Sequence, residues 1–246
     1  MGKLSWPTMI NLGSKKLDGT PRIVLSLNDA TPPDLIQEAR RLGLDLVELR
    51  IDQYASFDGT HVLREAGRFK DCSTIATIRI KAEGGAWNLP EQERLSLFKT
   101  IIPEVNAVDI ELSAETILPD VVQAAHAAKK IAIISFHDFD GTPSLNELNG
   151  ILDEAKSFGA DIVKIAAKAT KQEDIQALAG FTIANATKDI IVIAMGVEGA
   201  LSRVFFPALG SLLTYAYLGQ PTAPGQLGYK ELFELLKKFY PKFNQA

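Results

Sequence analysis

Short β-branched runs alternate along the chain with longer amphipathic stretches. The runs are RIVLSL (22–27), LVELRI (46–51), TIATIRI (74–80), AVDIEL (107–112), IAIISF (131–136), DIVKI (161–165), DIIVIAM (189–195) and, less regularly, LLTYAYL (212–218). Their length suits strands buried on both faces, and the segments between them have helical spacing. Helix starts are marked by Thr31 ahead of Pro32 and Pro33, where a hydroxyl can cap and proline suits the first turn. Ser144 with Glu147, and Thr170 with Glu173, match the capping box.

Eight strands separated by helices predict parallel pairing, because parallel neighbours need a crossover connection, and eight such units close a (β/α)8 TIM barrel. An open doubly wound sheet is the alternative, but its glycine-rich first turn is missing from SLNDATPPD. The 246 residues suit one barrel domain spanning 1–246. Residues 1–21, with Trp6, Pro7 and Gly13, predict a hairpin or cap over the bottom of the barrel.

Composition narrows the partners. Hydrophobic residues make up 46% and charged residues 23%, which excludes bulk disorder. A net charge of -4 provides no basic field for nucleic acid. The single Cys72 cannot form an intrachain disulfide, and no apolar run is long enough for a signal peptide or a membrane span, so the expectation is a cytoplasmic protein with no membrane partner.

Charged residues inside apolar strands then stand out. Glu48 and Arg50 share one parity of LVELRI, and neither suits a hydrophobic interior, whereas the C-terminal ends of barrel strands are where active sites sit. Arg79 has the same character in TIATIRI, followed by Glu83 and the tight-turn pair Gly84 and Gly85. His137 is the one histidine at a strand's C-terminal end and can exchange protons near neutral pH, while His61 and His126 read as ordinary solvated imidazoles. Lys164 interrupts an Ile/Val strand. Burial favours its neutral amine, a nucleophile toward carbonyl carbon; the competing reading pairs it with a carboxylate such as Glu48. Gly196, Gly199 and Arg203 after the seventh strand suggest an anion site for phosphate or carboxylate. Asp109, Glu111, His137 and Asp138 could serve as metal ligands, without the close-spaced motif that usually accompanies that chemistry.

The ordered succession VELRID, TIRIKAEGG, VDIEL, SFHDF, ADIVKIA, AMGVEGALSR and PTAPGQ resembles the type I 3-dehydroquinate dehydratases over nearly the whole chain. The resemblance implies a homodimeric barrel that works without metal or organic cofactor on a small molecule, 3-dehydroquinate, in the shikimate pathway. It also implies that Lys164 is the Schiff-base lysine, His137 the general acid/base and Glu83 the acid that orients the histidine. Ser26, Glu48, Arg50, Arg79, Met195, Thr222 and Gln226 would contact substrate, Arg203 would hold its carboxylate, and Phe139 would form an apolar wall. Thr222 departs from the serine common in the family, and the AAKAT segment after Lys164 is more polar than usual. A class I aldolase, or a barrel that only binds a carboxylated sugar-like ligand, are the readings to be separated from this one.

Overall fold

All eight predicted strand segments form strands. The computed structural model describes residues 10–219 and 225–243; Trp6 and Pro7 lie outside them. An antiparallel hairpin of β1 (Ile10–Leu12) and β2 (Lys15–Leu17) comes first. Strand and helix then alternate as β3 (Ile23–Leu27), α1 (Pro33–Arg41), β4 (Leu46–Arg50), α2 (Gly59–Gly67), β5 (Ser73–Thr77), α3 (Glu91–Ile101), β6 (Ala107–Glu111) and α4 (Leu118–Ala127). The second half continues with β7 (Ile131–Asp138), α5 (Leu145–Ser157), β8 (Ile162–Lys168), α6 (Gln172–Ala184), β9 (Ile190–Met195) and α7 (Ser202–Leu209). It ends with β10 (Thr214–Tyr217), the two-residue β11 (Leu227–Gly228) and α8 (Tyr229–Phe239).

Pairing is parallel throughout the main sheet, in the order β11-β10-β3-β4-β5-β6-β7-β8-β9, which curls into a TIM barrel with the helices outside. At the join between β9 and β10 three hydrogen bonds among the described residues take the place of a ladder, one of them from Ser211 Oγ to the Val192 carbonyl at 3.4 Å. Leu212 N–H donates to the Ile190 carbonyl at 2.9 Å, and Val192 N–H donates to Ser211 Oγ at 3.0 Å. A side-chain hydroxyl thus stands in for a strand partner at the seam.

Alternation sorts the strand residues into two cores. Outward-facing side chains such as Val47, Ala76, Val108, Ile134 and Ile165 pack beneath the helices. Val24, Leu46, Ile75, Ala107, Ile133 and Ile162 fill the lumen together with Leu12 and Leu17 of the hairpin. The N-terminal segment therefore plugs the bottom of the barrel as expected, and Ser73 Oγ donates to the Leu12 carbonyl at 2.7 Å to fasten it.

Two local expectations are corrected. Thr31 does not cap α1, which starts behind Pro32; its hydroxyl instead exchanges hydrogen bonds with Asn28. Glu173 does not close a box with Thr170. The Asp174 carboxylate, one residue on, accepts from the amides of Thr170 and Lys171, because α6 starts at Gln172. The Ser144–Glu147 box on α5 forms as predicted.

Candidate active site

Two residues above the apolar lumen layer, the same inward parity turns polar. Leu46 gives way to Glu48, Ala107 to Asp109, Ile133 to Ser135 and Ile162 to Lys164. The next inward step brings Arg50, Glu111 and His137 from their strands, with Arg79 just past the end of β5. A cleft of about 770 Å³, counting its open mouth, lies above this layer, with Asp109, Glu111 and Ser135 behind its wall. Ser26, Glu48, Arg50, Arg79, Glu83, His137, Phe139, Lys164, Met195, Arg203 and Gln226 all line it. Thr222 lies outside the described residues.

Lys164 is 5% exposed and sits on the cleft floor in a nest of opposite charge. Its Nζ is 2.9 Å from Asp109 Oδ2 and 3.6 Å from Glu48 Oε1. The pairing with carboxylates that the competing sequence reading expected is present, and Lys164 also lines the cleft. Ser26 and Thr77 hydroxyls donate to Glu48, and Arg79 and Ser135 donate to Asp109 Oδ1 at 2.6 and 2.7 Å. Burial would raise both carboxyls. For Glu48 the charges of Lys164 and Arg50 outweigh it, and for Asp109 those of Arg79 and Lys164, so both stay below the usual carboxylate range.

Behind this layer the charges continue outward. Arg79 Nη1 lies 3.2 Å from Glu111, whose other oxygen meets Arg94 Nη1 at 2.7 Å, and Arg94 reaches Glu91 at the surface. Arg94 is fully buried on α3 and also donates to the Ile78 carbonyl, so it anchors the strand end from which Arg79 projects.

His137 is fixed by its own partner. Its Nδ1 is 2.9 Å from Glu83 Oε2, and the Ser113 hydroxyl holds the other oxygen of Glu83. Burial, reinforced by the charges of Arg79 and Lys164, pushes the imidazole well below its ordinary value near 6.5. These surroundings favour the neutral imidazole, and a proton on Nδ1 would point toward the carboxylate. Burial also raises the Glu83 carboxyl. The turn carrying Glu83 ends at Gly84 (φ +76°), where a β-carbon would lie 2.6 Å from the Phe139 ring. Its absence lets Phe139 lie parallel to His137, ring centroids 6.4 Å apart.

The third group is Arg203, brought in by α7. Its Nε and Nη1 donate to the carbonyls of Gly225 and Tyr215 at 3.2 and 3.3 Å, and no carboxylate pairs with it among the described residues. Burial alone pushes the guanidinium down to about 10. By contrast, Arg50 is held by Asp52 through Nε and Nη2 at 3.0 and 2.9 Å. Gly225 (φ +75°) lets its turn press against Gly196, where a β-carbon would come within 1.9 Å of the carbonyl oxygen; this contact brings Gln226 to the cleft.

Several members of the site escaped the sequence reading. Asp109 and Glu111 figured there only as possible metal ligands, and Asp52, Ser135 and Tyr215 did not figure at all. Among the described residues no three His, Cys, Asp or Glu side chains cluster so as to hold a metal ion. His61 is also less solvated than expected, its Nε2 lying 2.8 Å from Asp29.

Residues 23–242 match the family model described as type I 3-dehydroquinase. Among curated relatives, the 3-dehydroquinate dehydratase of Methanocella arvoryzae is 35% identical over 90% of this chain and 98% of its own length. That of Thermodesulfovibrio yellowstonii is 32% identical over 90% and 96%. The crystal structure of the Aquifex aeolicus 3-dehydroquinate dehydratase superposes with a TM-score of 0.81 at 34% identity, covering 89% of this chain and 98% of that one. The Clostridium difficile type I enzyme, solved with covalently modified comenic acid, gives 0.85 at 28% identity over 96% and 99%. A deoxyribose phosphate aldolase from Aeropyrum pernix, 15% identical with a TM-score of 0.54, shares the fold alone.

Proposed function

The chain belongs to the type I 3-dehydroquinase family, a family of hydro-lyases, and from that membership we propose that it dehydrates 3-dehydroquinate to 3-dehydroshikimate through an imine on Lys164. The observation that carries the reading is the Lys164 amine on the cleft floor, with a neutral, orientation-locked His137 one inward step above it on the adjoining strand. Hydroxide is a poor leaving group and a proton beside a ketone is weakly acidic, so the elimination needs an electron sink. A protonated imine provides one.

Attack requires the lysine lone pair, so the proton held against Asp109 must leave, and neutral His137 is the base at hand in the same cleft. Nζ adds to the ketone carbon, the proton that His137 took from Lys164 passes to the resulting hydroxyl so that it departs as water and leaves His137 neutral, and the iminium then draws electrons from the adjacent C–H. His137 Nε2 removes that proton and returns it to the hydroxyl as its C–O bond breaks. Water then hydrolyses the imine and frees Lys164. Arg203 holds the substrate carboxylate, since it is a buried cation without a counter-ion among the described residues. Glu48, Arg50 and Arg79 organise the pocket, while Ser26 and Gln226 contact the ligand and Met195 walls it; for Thr222, outside the described residues, the same task rests on the sequence resemblance alone.

The reading places the chain in the shikimate pathway, as a single barrel domain needing no cofactor. We also take the working form to be a cytoplasmic homodimer. Val197, Leu201 and Phe205 around α7 expose an apolar face that a second copy would cover, and a monomer by light scattering at micromolar concentration would overturn that. No helix among the described residues is long and apolar enough to cross a membrane.

The test of the chemistry is intact-protein mass after 3-dehydroquinate and borohydride. A reduced adduct on Lys164 is expected, with absorbance of the conjugated enone appearing during turnover; an aldolase would not generate that enone. An unmodified Lys164 under turnover conditions refutes the imine route.

A further inference from the structure

Ser113 is an exposed residue in the turn between β6 and α4, and its hydroxyl takes no part in building that turn. The turn closes through backbone alone. Leu112 N–H donates to the Ser135 carbonyl at 2.8 Å, Ala114 N–H to that of Glu111 at 3.1 Å and Ile117 N–H to that of Ala114 at 3.0 Å. Helix α4 then starts without a side-chain cap. A serine in such a turn ordinarily spends its hydroxyl on nearby backbone. Among the described residues this one donates only to Glu83 Oε1, on a side chain 30 residues away in the chain.

Glu83 has need of a second partner. It ends the single helical turn Lys81–Glu83, whose amides close on the Ile80 and Lys81 carbonyls and leave the direction of the carboxylate open. With His137 as its only hydrogen-bond partner, the side chain could swing and offer either oxygen. Ser113 holds Oε1 from the end of β6, while Oε2 lies 2.9 Å from His137 Nδ1 on β7, so the carboxylate is pinned from both sides. The charged groups facing it are Arg79 from beyond β5, Asp109 and Glu111 from β6, and His137; Lys164 and Arg50 face the imidazole in turn. Burial raises the Glu83 carboxyl, and of the influences that favour its ionised form the Ser113 hydrogen bond is larger than the charge of Arg79.

We propose that Ser113 is a positioning residue for the acid/base pair: its hydroxyl fixes Glu83 so that the second carboxylate oxygen stays on His137 Nδ1 and the imidazole keeps one orientation. This rests on the reading of His137 as the acid/base group. The serine keeps its own proton throughout. Without the hydroxyl, Glu83 protonates more easily and then no longer offers the imidazole a charged acceptor, so the working form of the pair is lost at a higher pH.

The experiment compares wild type, Ser113→Ala and Ser113→Thr by enone absorbance across the acid limb, and by NMR titration of the imidazole nitrogens without substrate. His137→Asn identifies the His137 signals. Because Ser113 is exposed and its turn is closed by backbone, Ser113→Ala should unfold at the wild-type urea midpoint. It is expected to keep KM and to lose about fivefold in kcat at neutral pH, the worth of one ordinary hydrogen bond. The acid limb of kcat should move to higher pH, as should the first proton uptake that the His137 signals report. Ser113→Thr keeps the hydroxyl and should match wild type in both. An unmoved acid limb in Ser113→Ala overturns the proposal, whether kcat is unchanged or falls equally at every pH, the latter marking a merely structural role. A threonine variant that behaves like alanine overturns it as well. If wild type produces no enone, the functional reading falls, while the substrate-free titration still decides whether Ser113 sets the pair.

Discussion

Replacing Arg203 by methionine separates a binding role from a structural one, because the two effects on this side chain differ in size. Burial brings the guanidinium from its ordinary 12.5 to about 10. At roughly 1.4 kcal/mol per pH unit, this amounts to about 3 kcal/mol of unfavourable charge burial at neutral pH. Methionine removes that cost and keeps much of the volume. It also forfeits the bonds to the Gly225 and Tyr215 carbonyls, long at 3.2 and 3.3 Å and so near the low end of about 1.5–3 kcal/mol each. The terms nearly cancel, and the urea midpoint should correspond to a stability within about 2 kcal/mol of wild type. No such cancellation applies to the bound carboxylate, which loses a two-pronged, desolvated cation worth about 3–4 kcal/mol, or roughly 10²–10³-fold in kcat/KM. Enone absorbance gives the kinetics, and urea titration gives the stability. A variant that unfolds several kcal/mol more easily while kcat/KM stays within about threefold of wild type would refute the assignment.

Four further expectations concern the rest of the site. Because the His137 value lies well below 6.5 in the folded protein, the base stays neutral as pH drops through 6.5, and the acid limb of kcat/KM should fall at lower pH. The unfolded chain takes up that proton first, so native stability decreases as pH falls below about 6.5, and His137→Asn should flatten part of that loss in urea titrations. Glu83→Gln should keep KM but lower kcat by about 10- to 100-fold, since the imidazole loses the carboxylate that fixes its tautomer; unchanged kcat would reject the orienting role. Arg94→Met should cost about 3–5 kcal/mol by urea titration, because it strands the Glu111 carboxylate in a dry interior far from the reacting atoms; a loss under about 1 kcal/mol would show that Arg79 alone satisfies it.

The barrel was legible because most strands of the main sheet are buried along nearly their whole length and read as short, mainly apolar runs. Lys164 and Glu48 were legible for the complementary reason, as charges where such a run should be apolar. Asp109 carries the same signal, yet its meaning depends on Lys164, 55 residues away, so the sequence left it looking like a possible metal ligand. Tyr215 carries no signal, because an aromatic in a strand is ordinary and only three-dimensional placement leaves its hydroxyl unanswered. The misplaced cap at Thr170 is a one-residue error in a helix boundary, the scale at which local propensity yields to packing.

The seam between β9 and β10 gives the closed cylinder an uneven mechanical character. Elsewhere adjacent strands are paired by ladders, whereas here, among the described residues, two amides and one serine hydroxyl hold two edges together. Lys164 and Met195 stand on one side of this joint, and Tyr215 and Gln226 on the other. A molecule seated against all four acts as a strut across the weakest stave of the cask, so occupancy would brace the scaffold where its own backbone does so least.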